Sequence, residues 1–161
     1  MSKLLILYIS SILFFHNIVL AENKKLPIPR FASIKSNEVN ARTGPSTKCP
    51  LEWIFVKKDE PVEIVAEYEQ WRQIKDIEGQ GGWVHSSVLS GKRSVIIKDK
   101  NIIELLRYPT SNKNEVVARV SPSVRCQLKK CTQEFCLLLC KGNKGWARRT
   151  VLWGIYINEQ L

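Results

Sequence analysis

Residues 71–91, WRQIKDIEGQGGWVHSSVLSG, and residues 135–154, FCLLLCKGNKGWARRTVLWG, are two copies of one pattern. Each copy opens on an aromatic, passes through a polar turn to Gly-Trp, and closes on Leu-x-Gly. Trp83 follows Trp71 by 12 residues and Trp146 follows Phe135 by 11, so the copies differ by one turn residue. A repeated strand–turn–strand unit at this spacing predicts two small β-modules in tandem rather than one enzyme core.

The flanking sequence extends both modules. Phe31–Ile34, Val39–Arg42 and Trp53–Val56 read as short strands, with Thr43-Gly44-Pro45-Ser46 as a turn whose backbone Gly and Pro constrain. From Val62 to Glu69 apolar and acidic residues alternate, the signature of a strand with one wet face. Trp71–Ile77 and Trp83–His85 are the arms of a hairpin turning through Glu78–Gly82. The second module begins again with a strand in 92–100 and another over Ile102–Tyr108, and Gly154–Glu159 is expected to close it as a last strand. Many short strands at close spacing give an all-β chain, and small barrels are the architecture such a chain favours.

The N-terminus has the marks of a secretory signal. Lys3 precedes an apolar run from Leu4 to Leu20, and Val19-Leu20-Ala21 suits signal peptidase. We expect residues 1–21 to be removed, residues 22–30 to form an extended arm, and the rest to function in the periplasm or outside the cell, with no stable membrane insertion. Residues 31–91 and 92–161 are then the two modules. A unit of about 60 residues buries only about 60% of its unfolded surface, so the modules are expected to lean on each other or on cross-links.

Cysteines supply such links in an exported chain. Cys131 and Cys136 flank Thr-Gln-Glu-Phe, and Cys126 and Cys140 lie almost symmetrically outside them, which favours nested bridges. A zinc site from the same four is disfavoured, because no C-x2-C knuckle is present and export is oxidising. Cys49 is left over, buried and free or open to a disulfide-linked dimer. No cofactor or metal is expected.

Charge is divided unevenly. Residues 22–91 hold ten Lys/Arg and ten Asp/Glu, whereas residues 92–161 hold fourteen and five, a net +9. The excess on the second module points to anionic partners: cell-wall stem peptides, anionic lipid or an acidic protein. Nucleic acid is disfavoured by export and by the lack of any motif for it. Catalysis is disfavoured too. His85 is the only histidine of residues 22–161, no cysteine sits in a nucleophile setting, and neither G-x-S-x-G nor H-E-x-x-H occurs.

In combination the residues resemble a known family. VNARTGPS, CPLEW, PVEI, WRQIKD and GGWVHSSVLSGKR in the first half resemble the bacterial SH3-like domains of exported proteobacterial proteins. CTQEFC, KGWARR and LWGIY with Glu159 resemble the second domain of the same two-module proteins. The resemblance covers nearly all of residues 31–159 and implies two tandem SH3-like β-barrels in the periplasm, with peptide or cell-wall ligands. Three positions depart from the family pattern: Cys49 replaces an aromatic, Cys126 and Cys140 are extra to the usual Cys131 and Cys136, and Phe135 replaces a Trp.

Two groups of candidate ligand-binding residues follow. Trp71 lies three positions before Ile74, so on an unbulged strand they face opposite ways. With Ile74 inward, Trp71 lines a rim with Arg42 and Trp53, a rigid aromatic beside a guanidinium that suits a peptide or a carboxylate-bearing sugar. In the second module Lys144, Arg148 and Arg149 surround Trp146 as the densest basic cluster. Trp83 and Trp146, each after Gly, read as core or hairpin anchors, and His85 as a surface residue. The expected function is non-catalytic binding in the cell envelope, to peptidoglycan stem peptides or to an extended segment of a periplasmic protein. The alternative is a scaffold that regulates an envelope enzyme without touching the wall.

Overall fold

A computed structural model describes residues 26–110 and 115–161. The expected signal segment 1–21 and the first part of the arm lie outside the described residues. The described chain is all-β, with no α-helix and two short 3-10 turns.

The first sheet contains β1 (Arg30–Ile34), β2 (Val39–Arg42), β3 (Leu51–Phe55), β4 (Pro61–Tyr68), β5 (Trp71–Lys75), β6 (Gly81–His85) and β7 (Leu89–Ser90), in the order β3-β2-β6-β5-β4-β1-β7. The second contains β8 (Ser94–Ile97), β9 (Ile103–Leu106), β10 (Val116–Val120), β11 (Arg125–Cys131), β12 (Phe135–Cys140), β13 (Asn143–Arg148) and β14 (Leu152–Trp153), in the order β10-β9-β13-β12-β11-β8-β14. Adding seven to each strand of the first order gives the second. The duplication seen in 71–91 and 135–154 therefore extends over the whole of both sheets, down to a 3-10 turn before each last strand at Ser86–Val88 and Arg149–Val151. All pairings are antiparallel. Each order is linear, with β3 and β7 at the ends of one sheet and β10 and β14 at the ends of the other, where barrel closure was expected.

Each sheet buries one face around its own core. Ile34, Val39, Ala41, Val62, Ile64, Ile74 and Val84 form the first. Val95, Ile97, Leu105, Leu138 and Leu152 form the second, together with Cys126, Cys136 and Cys140. The bridges are nested as the spacing predicts: Cys126 bonds Cys140 and Cys131 bonds Cys136, which are also register partners on β11 and β12. Cys49 is free and half-buried.

Two glycines before tryptophans serve different needs. Gly82 has φ +130°, and a Cβ there would lie 2.7 Å from both Arg42 O and Glu52 Oε2. Gly145 has no such angle; a Cβ there would lie 2.7 Å from the Leu105 Cβ, so close packing excludes a side chain.

The last residues also depart from expectation. Beyond β14 the chain turns rather than continuing as a strand over 154–159. Gly154 adopts φ +110°, and the carbonyls of Tyr156, Ile157 and Glu159 turn in to one buried guanidinium instead of a neighbouring strand.

This tail helps join the two sheets. Tyr156 Oη donates to Glu63 at 2.6 Å, and the Phe31 ring packs against Trp153 and Tyr156 with centroids 5.1 and 4.7 Å away. Arg93 binds Glu159 and the Gly154 carbonyl while lying over Phe31. Buried Ser33 and Ser94 share a hydroxyl contact of 2.5 Å, and buried Glu60 pairs with Arg125.

Candidate functional site

Antiparallel pairing aligns side chains on a common face, so the ladders decide which candidate residues meet. In the first sheet Trp71 pairs with His85, Gln73 with Trp83, and Trp83 with Arg42. These five residues share the outward face. Ile74 is buried at 2% exposure and Trp71 is half-buried on the other side, as the three-residue offset predicts. The Trp71 ring stands edge-on to His85 at 5.8 Å. His85 is exposed and bonds Ser87, with Nδ1 2.8 Å from the hydroxyl. Arg42 donates to the Cys49 carbonyl at 2.7 Å, which draws its guanidinium over the turn leading into β3.

Trp53 does not join this group. It pairs with Ala41, whose side chain is fully buried, and so belongs to the face opposite Arg42. The bulge at Glu52, between the pairs Ala41/Trp53 and Arg42/Leu51, lets Trp53 emerge at 40% exposure into a cleft between the two sheets. A bulge adds one residue to one strand, and nothing in the apolar pattern of CPLEW marks it.

The second sheet repeats the outward ladder with different chemistry. Phe135 pairs with Arg148, Leu137 with Trp146, Leu139 with Lys144, and Trp146 with Leu106. Position by position, Phe135 stands for Trp71, Leu137 for Gln73, Arg148 for His85 and Leu106 for Arg42. Phe135, Leu137 and Trp146 form a small apolar cluster of their own, separate from the core. Cations cover it: the Arg148 guanidinium is 5.3 Å from the Phe135 ring centre, and Lys130 Nζ is 5.5 Å from that of Trp146. Lys144 stands exposed two residues before Trp146 on the same side of β13. Strand geometry separates Lys144 from Arg148 by about 13 Å, and a groove of about 280 Å³ lies beside Phe135, Trp146 and Arg148. Glu104, on the same side of β9 as Leu106, already pairs with Arg119. A flat apolar surface under guanidinium and ammonium groups has the chemistry to hold carboxylates attached to short apolar side chains.

Lys130 escaped the sequence reading. One step inward from the Cys131–Cys136 pair, before the bulge at Lys129, sets it opposite Leu137.

Arg149 leaves the expected cluster. It is 5% exposed, and its guanidinium donates to four main-chain carbonyls: Thr132 at 2.8 Å, Tyr156 at 2.9 Å, Ile157 at 3.1 Å and Glu159 at 2.7 Å. Alternation explains the difference. Arg148 ends β13 facing outward, and the next residue opens the 3-10 turn facing inward. Arg149 is a structural clamp on the tail.

Two ionisable groups in that tail depart from ordinary behaviour. Burial opposes the charge of Glu159, but the Arg93 hydrogen bond, the Tyr156 amide and the positive charges of Arg93 and Arg149 outweigh it and hold the carboxyl below the usual range. Burial raises the Tyr156 phenol, reinforced by its hydrogen bond to Glu63 and by the negative charges of Glu63 and Glu159. Both shifts serve the junction between sheets. Among the described residues no group of His, Cys, Asp and Glu is placed to hold a metal ion, and no helix is long and apolar enough to cross a membrane.

Comparison with known proteins locates one half of this duplication. NlpC2 from Trichomonas vaginalis is similar over 84% of this chain and 52% of its own, at 11% identity and a TM-score of 0.36. NlpC1 from the same organism is similar over 84% and 49%, at 13% identity and a TM-score of 0.36. The chain thus spans about half the length of these structures. No curated protein matches it. Residues 35–91, which hold β2 to β7 with the Trp71–His85 ladder, match the family described as bacterial SH3 domain.

Proposed function

We propose that the protein is an exported, non-catalytic binding module of the cell envelope, built from two SH3-like units over residues 31–91 and 92–161, and that it recognises peptidoglycan stem peptides. The observation that carries this reading is the outward face of the second sheet, where Lys130, Lys144 and Arg148 surround Phe135, Leu137 and Trp146. The cations suit the carboxylates of stem peptides, and the apolar ladder suits their methyl groups. The face lies on the half of the chain that carries the net positive charge.

An exposed ion pair contributes about 0–1 kcal/mol and is screened by salt. One stem peptide is therefore held weakly, and useful retention comes from the dense array of such peptides on a wall. Arg42 and Trp71 on the first sheet give a second, smaller contact surface in this reading.

The test is co-sedimentation of the purified protein with peptidoglycan sacculi at low and moderate salt. Wild type should pellet, more weakly as salt rises, and Lys144→Gln with Arg148→Gln should stay in the supernatant. Trp71→Ala reports whether the first sheet shares the contact. Absence of wild-type pelleting at low salt refutes the proposal. A second reading, an interaction scaffold that acts on an envelope enzyme, is favoured by the exposed apolar side chains around β3. Release of muropeptides from the sacculi would overturn both.

A further inference from the structure

Strands β11, β12 and β13 contain no acidic residue. With the two turns that join them they carry Lys129, Lys130, Lys141, Lys144 and Arg148 against Glu134 alone, once Arg125 is set against its partner Glu60. The neighbouring strand β9 adds Glu104, whose charge Arg119 of β10 balances. The positive surplus of this face therefore holds with every charge counted.

Three of these cations, all exposed, are held apart from one another. Arg148 lies over Phe135 and Lys130 over Trp146, rings that stand in successive rows of the outward ladder. Lys144 stands one row further, opposite Leu139. Rows on one face of a sheet are about 7 Å apart. Arg148 and Lys144 thus flank one side of the apolar line Phe135–Leu137–Leu139 at its two ends, and Lys130 flanks the other side at its middle. One carboxylate cannot meet all three. A short extended chain lying along β12 can, if it carries separated carboxylates with small apolar groups between them. The fold itself does not call for these cations: the equivalent positions of the first sheet are Ala66, Gly81 and His85.

We infer that this face reads the free carboxylates of a stem peptide, and that it prefers peptides that are neither cross-linked nor amidated. The inference rests on the stem-peptide reading above and adds the chemical state of the peptide that the site takes. Cross-linking turns a terminal carboxylate into an amide, and amidation does the same to a carboxylate within the peptide. Each change leaves one of the three cations facing a neutral group. Retention then follows the number of free carboxylates on a wall rather than its mass.

The test titrates the intact protein with a synthetic stem tetrapeptide whose carboxylates are all free, following the Trp146 indole N–H by NMR. Parallel titrations use the peptide amidated at its C terminus, at its glutamate, or at both. Each amidation should weaken binding about threefold to fivefold, the size of one exposed ion pair, and the double amidation about tenfold or more. Arg148→Gln and Lys144→Gln should each weaken binding of the free peptide by a similar factor and abolish the penalty of one amidation, a coupling that general loss of affinity does not produce. Equal affinity for free and doubly amidated peptides, with sacculi still pelleting, overturns the inference and leaves wall binding standing. Penalties that are the same in wild type and in both variants overturn it as well, because the cations are then not the readers. No shift at millimolar peptide while sacculi pellet places the contact elsewhere and overturns it too. Failure to pellet at all refutes the wall reading and the inference with it.

Discussion

Replacing Arg149 by methionine should release the C-terminal tail and destabilise the second sheet. Methionine keeps an unbranched apolar stem and removes the donors, so packing changes little. The guanidinium makes four hydrogen bonds to carbonyls, one on the β11–β12 turn and three on the tail. At about 1.5–3 kcal/mol for each bond to a charged group, the gross loss is about 6–12 kcal/mol. Two effects reduce it. The variant no longer buries a charge that has no carboxylate within ion-pair distance among the described residues, a relief of several kcal/mol. The tail can also swing out and hydrate its carbonyls, since Ile157 is already 58% exposed. We expect a net loss of about 3 kcal/mol, which for a urea m-value near 2 kcal/mol/M lowers the unfolding midpoint by about 1.5 M. Hydrogen exchange on residues 155–159 should rise to that of an unstructured segment, and sacculus retention by the folded variant should be preserved. A midpoint shift under about 0.5 M with tail amides still protected would refute the clamp. Loss of retention at full folding would return Arg149 to the binding face.

Other perturbations test the remaining links. Alanine at Cys126 and Cys140 should cost about 3 kcal/mol and alanine at Cys131 and Cys136 about 2, because the loops close over 14 and 5 residues respectively; urea unfolding of each pair reads the difference, and the reverse order counts against the loop-entropy account. Gly145→Ala should cost about 1–3 kcal/mol by forcing a Cβ onto Leu105, measured in the same way. Glu159 titrates below its unfolded value, so its contribution is complete above the unfolded glutamate pKa of about 4.3 and is lost as pH falls through the lower folded value; Glu159→Gln should flatten that acid limb relative to wild type. Tyr156 is raised, so its contribution is complete below the unfolded value of about 10 and fades as pH rises toward the folded one; Tyr156→Phe should remove that alkaline loss.

The fold was legible where chemistry repeats at short range. Gly-Trp after a polar turn fixed both central hairpins, and the valine–glutamate alternation after Pro61 fixed β4. Cys131–Cys136 could be paired because a four-residue gap leaves little choice in a hairpin. The candidate site was less legible because its residues meet through register. Trp53 was grouped with Arg42 from proximity in sequence, and one bulged residue carries it to the opposite face. Arg148 and Arg149 look alike as neighbours, yet the passage from strand to 3-10 turn sends one outward over Phe135 and the other inward to the tail. The tail itself looked like a strand because Ile155 and Ile157 flank Tyr156. Only Ile155 is buried, and the buried guanidinium collects the carbonyls that a strand would have offered to a neighbour.

Duplication of the ladder explains how one short chain can present two unlike surfaces. The inward residues of the two sheets do the same job and stay apolar, so each sheet keeps a core even though one is further tied by two disulfides. The outward residues are under no such constraint. At equivalent positions Gln73 gives way to Leu137, His85 to Arg148 and Arg42 to Leu106, turning a polar aromatic face into an apolar one roofed by cations. The junction holds the sheets without using either outward ladder: Phe31, Ser33, Glu60 and Glu63 on one side meet Arg93, Ser94, Arg125 and Tyr156 on the other. A substitution on one outward face should therefore leave the other face and the junction unchanged. Variants at Trp71 and at Arg148 are accordingly expected to add in free energy of stability to within about 0.5 kcal/mol, as sites without shared partners do. Coupling beyond that in a double-mutant cycle would mean that the two faces communicate through the junction.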